Sequence, residues 1–237
     1  MKSQINKFFH RFGVDVRGYP QRQVRNRMLL LKTFGIQTVL DVGANVGQYA
    51  TEIRANGYGG MIHSFEPLSQ AYQQLAGKAA ADTQWTAHHF ALGDSAKSLS
   101  INIANNSASS SFLPMHHDHT SAAPEVSYVN QETVRVQTLD ETWTSLNVAH
   151  APVYLKVDTQ GFEHAVLQGG TRALKQHITG VQLEMSLTEL YEGEMLYHEM
   201  ISYLAGFGFR LYSVEPGLSN HQTGELLQMD GIFYKPA

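Results

Sequence analysis

Val39-Leu-Asp-Val-Gly-Ala-Asn-Val-Gly-Gln48 decides the fold. Val39, Leu40 and Val42 form a short apolar run that reads as a buried strand with Asp41 near its carboxyl end. Gly43 and Gly47 bracket a tight turn, and a helical pattern runs on through Tyr49, Ala50 and Ile53. Strand, glycine turn, helix is the order in which an open α/β sheet places its first ligand loop. Glycine lets the backbone approach a ligand closely, and the following helix offers unpaired N–H groups.

The glycine spacing separates two ligand classes. A dinucleotide fold shows G-x-G-x-x-G, in which backbone amides cradle a pyrophosphate. Here Ala44-Asn-Val46 stands between the glycines, and a cofactor with an adenosine but no phosphate suits the incomplete cradle. Met61-Ile-His-Ser-Phe65 reads as the second strand, ended by Glu66-Pro67. Proline restricts the residue before it to extended geometry. Glu66 is therefore set at the strand tip, 19 residues beyond Gly47, near the spacing at which a carboxylate grips ribose hydroxyls.

The chain has 237 residues with 43% hydrophobic and 16% charged residues, which fits one globular domain. It has no cysteine, which excludes disulfides and cysteine zinc sites. No apolar run approaches a membrane span, and the N-terminus lacks the continuous apolar segment of a secretory signal. A cytoplasmic enzyme is the expectation. Residues 1–32 hold eight Lys and Arg against Asp15 alone, a net +7 that leaves −11 for the rest of a chain at −4. Residues 1–38 read as a basic helical extension. The acidic remainder argues against nucleic-acid binding; the basic segment suits solvent first, and otherwise a phosphorylated or lipid-linked substrate, an anionic membrane surface, or the acidic body of a partner subunit in a homo-oligomer.

Further along, Trp85–Leu92 reads as a third strand and Leu99–Ile103 as a short exposed one. Residues 104–132 lack periodicity and read as a long loop, functional or disordered. Val134-Arg-Val136 reads as an edge strand. Thr138-Leu-Asp-Glu141 fits a capping box. Pro152–Val157 is a buried strand with Asp158 at its tip, Val181–Met185 another with Glu184 near its end. Glu194–Ala205 reads as a helix, and strands at 209–214 and 230–235 lack room for a crossover and are expected to pair antiparallel. The alternation of strand and helix predicts a largely parallel sheet.

Asp41-x-Gly43, Glu66-Pro67, Ala91-Leu-Gly-Asp94, Thr138-Leu-Asp140, Leu155-Lys-Val-Asp-Thr-Gln-Gly-Phe-Glu163 and Val166-Leu-x-Gly169 together resemble the FkbM family of S-adenosylmethionine-dependent methyltransferases. The resemblance runs from about residue 39 to about residue 185. It implies a Rossmann-like class I methyltransferase fold, α/β, with a mostly parallel seven-stranded sheet and an antiparallel closing strand, over 39–237. It further implies O-methylation of a sugar, glycan or secondary-metabolite hydroxyl. By the same resemblance Asp41, Gly43, Asn45 and Gly47 map to the methionine side of the cofactor, Glu66 to its ribose, and Ala91, Leu92 and Asp94 to its adenine. Gln160 stands where members of this type commonly carry Glu, which puts in doubt any role needing charge there.

Methyl transfer needs alignment, and an alcohol acceptor needs a base or a metal ion. Asp158 and Glu184 are expected to enter the crevice from adjacent strand ends, as base or as oxygen ligands to a divalent cation such as Mg²⁺. Asp158 also maps beside the sulfonium. Glu163 reads as structural, at a helix start. His116-His-Asp-His119 reads as a flexible lid rather than a metal site, because consecutive side chains do not converge. Asn105–Ser111 suits a polyhydroxylated substrate. Two other readings stay open: a non-catalytic binding module, and a nicotinamide-dependent oxidoreductase.

Overall fold

The computed structural model describes Gly13, residues 20–146, residue 148 and residues 152–236. Most of the basic extension, residues 1–12 and 14–19, lies outside the described residues. Its last part is helix α1 (Arg22–Thr33), which buries Val24, Arg27 and Leu31 on one face at helical spacing. Gly35, at φ 61°, turns the chain into β1 (Thr38–Val42).

The chain then alternates. α2 (Gln48–Ala55), β2 (Met61–Phe65), α3 (Ser69–Ala79) and β3 (Trp85–His88) follow β1. Later come β7 (Val153–Val157), α6 (Glu163–Gln168), α7 (Thr171–Gln176), β8 (Ile178–Ser186), α8 (Tyr197–Ala205), β9 (Arg210–Pro216) and β10 (Gln228–Tyr234). These strands form one seven-stranded sheet in the order β3-β2-β1-β7-β8-β10-β9. Strands β3, β2, β1, β7 and β8 run parallel, and β10 inserts antiparallel between β8 and β9. The expected closing antiparallel strand is therefore present.

Both faces of the sheet are covered, so its central strands are buried throughout. Leu40, Val42, Leu155, Val157, Val181 and Leu183 face α6–α8 and share a core with Val166, Leu174 and Leu204. Val39, Ile62, Tyr154 and Ile232 face the other way, onto Leu31, Ile53 and Leu75 of α1–α3. Each such side chain contributes about 1.5–3 kcal/mol on burial. The period-two alternation of a strand places Asp41, Lys156, Gln182 and Glu184 on the α1–α3 face too. The first three lie in one register row across β1, β7 and β8. A polar row thus crosses the sheet under its carboxyl edge.

Between β3 and β7 the chain builds a second sheet from β4 (Ala91–Leu92), β5 (Lys97–Ala104) and β6 (Tyr128–Gln137), ordered β4-β6-β5. Three expectations change here. Trp85–Leu92 is two strands: β3 pairs with β2, and after His89-Phe90 the chain leaves to pair Ala91 and Leu92 with Val136 and Gln137. Val134–Val136 belongs to a ten-residue central strand, not an edge. Its first half, Tyr128-Val-Asn-Gln-Glu-Thr133, is largely exposed and carries no apolar alternation; pairing with β5 defines it. Residues 104–132 contain a 3₁₀ turn (Ser107–Ser109), α4 (His117–Ala122) and the start of β6. α5 (Leu139–Thr142) begins at the expected cap, with Glu141 N–H donating to Thr138 Oγ1 at 3.1 Å.

Candidate functional site

The glycine loop satisfies its own amides. Gly43 N and Ala44 N donate to Phe65 O, Gly47 N to Ala44 O, and Asn45 N to Glu66 Oε2 at 2.8 Å. Four of the loop's amides are thereby occupied, which weighs against a pyrophosphate cradle. Gly43 (φ 72°) has no room for a Cβ because the Asp158 carbonyl packs against it, and Gly47 (φ 82°) lies under Leu75 and Trp85. These glycines serve close packing between chain segments, where the sequence suggested close approach to a ligand.

Glu66 is buried, and its second oxygen, Oε1, accepts the Leu68 N–H at 2.9 Å. Burial pushes its carboxyl up to about 7, against the pull of those two N–H donors. Each oxygen keeps a lone pair, and the side chain lines a cavity of about 360 Å³. The cavity is walled by Gly43, Ala44 and Asn45 on one side, and by Ala91, Leu92 and Ile101 on another. Ser107, Ser110 and Phe112 close it from the segment between β5 and β6. Two hydrogen bonds pin that segment: Ser107 Oγ to Asn45 Oδ1 at 3.1 Å, and Ser111 Oγ to Gln160 O at 2.6 Å.

At the other end stand Asp158, Gln160, Lys156, Gln182, Asp230, Tyr49 and Arg27. The Lys156 ammonium lies 3.2 Å from Asp41 Oδ1 and 3.4 Å from Asp158 Oδ2, and donates to Gly43 O at 3.3 Å. Burial alone lowers an ammonium, but Asp158 and Asp41 outweigh it and hold Lys156 above the usual lysine range. Gln160 Nε2 donates to Asp158 Oδ1 at 2.9 Å and to Glu184 Oε2 at 2.6 Å, while its Oε1 accepts from Tyr191 Oη at 2.6 Å. Burial and the neighbouring Asp158 push Glu184 well above the carboxylate range. Burial likewise raises Asp230 to about 6.

Gly43, Asn45, Glu66, Ala91, Leu92 and Asp158 thus meet around one cavity. Asp41 lies beneath it, fully buried, holding Lys156 and accepting from Ser64 Oγ at 3.1 Å. Asp94 is on the surface, paired with Lys97 at 2.7 Å, and is not part of the wall. Glu184 reaches the site through the Gln160 amide and does not line the cavity. Glu163 is buried and accepts from Thr159 N at 2.6 Å, bracing the loop after Asp158. His119 is buried against Tyr191, in α4 rather than a free lid.

No group of three or more His, Cys, Asp or Glu converges to hold a metal ion among the described residues. The expected cation position between Asp158 and Glu184 is filled by the Gln160 amide nitrogen.

Arg27, Tyr49, Lys156, Gln182 and Asp230 carried no role from sequence alone. Lys156 and Gln182 left a signal: each is a polar residue flanked by apolar ones within a buried strand. Arg27, Tyr49 and Asp230 left none, because only tertiary packing brings α1, α2 and β10 together.

The FkbM methyltransferase domain model matches residues 41–211. The chain belongs to that family. The FkbM domain fold is shared by a proposed O-methyltransferase from Klebsiella pneumoniae, with TM-score 0.50 and 11% identity over 99% of this chain and 89% of that one. The fibrillarin/Nop5p complex gives 0.48 and 12% identity, covering 88% of this chain and 79% of that chain. A proposed RNA methyltransferase from Pyrococcus horikoshii gives 0.46 and 10%, covering 94% and 87%. At these identities the likeness concerns the fold. No curated protein matches the sequence. No helix among the described residues is long and apolar enough to cross a membrane.

The FkbM family implies S-adenosylmethionine, and the residues present fit it. A buried carboxylate with free lone pairs suits a ribose diol, apolar walls suit a purine, and the self-satisfied loop suits a cofactor without phosphates.

Proposed function

We propose that this methyltransferase is O-directed and uses S-adenosylmethionine to methylate a hydroxyl of a sugar, a glycan or a related secondary metabolite. The observation that carries the reading is Asp158: a carboxylate at the tip of a central strand, 36% exposed, lining the same cavity as Glu66. Glu66 holds the ribose. Gly43 and Asn45 form the methionine side, supported from behind by Asp41 and Gly47. Ala91 and Leu92 flank the adenine, and Asp94, held on the surface by Lys97, has no part there.

S-adenosylmethionine, when bound, supplies an electrophilic methyl on a positively charged sulfur. An alcohol is a weak nucleophile at neutral pH, and a positioned base contributes about 10²–10⁴-fold. Asp158 takes the hydroxyl proton on its carboxylate, which Lys156 and Gln160 hold in place. Glu184 supports it through Gln160 and does not meet the acceptor.

The wall favours a small neutral polyol. Ser107, Ser110 and Gln182 donate and accept in the way sugar hydroxyls require. Carboxylates outnumber cations there, with Glu52, Glu66, Asp158 and Asp230 against Arg27 and Lys156. That balance repels a phosphate-rich acceptor.

The test is calorimetric titration with S-adenosylmethionine, S-adenosylhomocysteine and NAD, followed by incubation of labelled S-adenosylmethionine with monosaccharide, oligosaccharide and RNA panels. Micromolar binding of the first two ligands and label in a sugar O-methyl group are expected. Label in RNA, or on nitrogen, would refute the acceptor class. Binding without transfer to any acceptor would favour the non-catalytic reading.

A further inference from the structure

Gln160 is more tightly held than a loop glutamine needs to be. Its backbone stands in the left-handed region at φ 57°, an uncommon conformation for a residue with a side chain. Both amide protons and the amide oxygen are engaged, and the backbone carbonyl takes the Ser111 hydroxyl. The amide nitrogen faces Asp158 and Glu184 while its oxygen faces the Tyr191 hydroxyl; rotated, it would turn its oxygen onto the Asp158 carboxylate. The anchor is Tyr191, fully buried, whose hydroxyl also lies 3.4 Å from His119 Nε2.

Asp158 sits between two claims on its charge. One oxygen is 2.9 Å from the Gln160 amide nitrogen, and the other is 3.4 Å from the Lys156 ammonium. Were the amide removed, the carboxylate would be free to rotate and close both oxygens on Lys156. Its charge would then be spent on Lys156 instead of facing the cavity.

We propose that Gln160 is a positioning residue that sets the charge facing the sulfonium, by tying Asp158 to Glu184 and Tyr191 and keeping it from collapsing onto Lys156. The inference rests on the proposed cofactor and on Asp158 standing beside its sulfonium, as the family resemblance implies. It assigns Tyr191 a part as well: its hydroxyl donates to the amide oxygen and so holds Gln160 in place over Asp158 and Glu184.

Two ligands read that charge without any acceptor. S-adenosylmethionine carries a positive sulfur, and S-adenosylhomocysteine is the same molecule without the methyl or the charge. Their affinity ratio, measured by calorimetry on the full chain, reports the field at the sulfur and cancels general damage to the pocket. Asp158→Asn should lower the ratio about tenfold, equivalent to about 1.4 kcal/mol. Gln160→Ala should lower it by about fivefold or more, and Tyr191→Phe in the same direction by a smaller factor. Equal weakening of both ligands by Gln160→Ala would mean a merely structural role and overturn the inference. Should that variant fail to fold, Tyr191→Phe, a single hydroxyl deletion, carries the test, and an unchanged ratio overturns it. If Asp158→Asn lowers the ratio and neither other variant does, only the role of Gln160 falls. If Asp158→Asn leaves the ratio unchanged, the placement of Asp158 beside the sulfonium falls first, and the role of Gln160 with it.

Discussion

The carbonyl oxygen of Asp158 occupies the space that a Cβ on Gly43 would need. The tips of β1 and β7 can approach only because residue 43 has no side chain, and that approach brings Asp158 to the glycine loop. Gly43→Ala therefore meets both an overlap with backbone and a φ of 72°. We expect a loss of about 2–4 kcal/mol, measured by chemical denaturation, together with loss of S-adenosylmethionine binding. An unchanged denaturation midpoint would show that the two strand tips are not in contact.

Glu66→Gln keeps the shape and removes the charge. It should weaken S-adenosylmethionine and S-adenosylhomocysteine about equally, by about tenfold each, since the ribose is common to both. Because the carboxyl titrates at about 7 in the free protein, affinity for both ligands should also fall as pH drops from 8 to 6. A dissociation constant that is flat over that range would remove Glu66 from the ribose.

Stability should depend on pH in an unusual direction. Burial raises Glu66 and Glu163 to about 7, above their unfolded value of 4.5. Between those values the folded state binds more protons than the unfolded one, so stability declines as pH rises. Burial lowers His63 to about 4 from 6.5, which works the opposite way below pH 6.5. Over pH 6.5–8 the two carboxyl groups act unopposed by His63 and should cost about 1.5 kcal/mol together. Thermal melts across that window should show a falling midpoint in the ligand-free protein, and Glu163→Gln should flatten the slope. A midpoint that rises instead would contradict the burial of these two groups.

Arg27 joins α1 to the sheet. It donates to Glu215 at 2.5 Å and to Glu52 at 2.7 Å, and both it and Glu215 are buried. Arg27→Ala strands a buried carboxylate and should cost about 3–5 kcal/mol, whereas Arg27→Met with Glu215→Leu should recover most of that loss. Denaturant titration of the single and double variants checks the difference. If the double variant is as unstable as the single one, the cost comes from lost packing and not from unpaired charge.

Once the panel yields an acceptor, Asp158→Asn should lower turnover by at least about 100-fold with the fold intact by circular dichroism. Near-normal turnover would end its role as the base.

The main sheet was legible because its strands are short, apolar and punctuated by glycine or proline. Val39–Val42, Met61–Phe65 and Val153–Val157 each announce themselves this way. Glu66 was legible too, since proline at 67 sets it at a strand tip. The second sheet was not, because Tyr128–Thr133 is largely exposed and draws its structure from hydrogen bonds to β5 and not from an apolar pattern. Glu184 was misplaced by its position near a strand end, which says nothing about a Gln160 side chain standing in front of it.

By itself the sequence determined the α/β class, the parallel order of its strand–helix units, the family and the carboxylate set at the tip of β2. These follow from local chemistry: periodicity, turn residues and motif spacing act over a few residues. Only the tertiary structure decided which polar groups share a cavity. Arg27, Lys156, Gln160 and Asp230 come from α1, β7, the loop after it and β10, and they meet because the sheet stacks distant segments side by side. The charge each of them presents is set by burial and by its neighbours, and neither exists until the chain has folded.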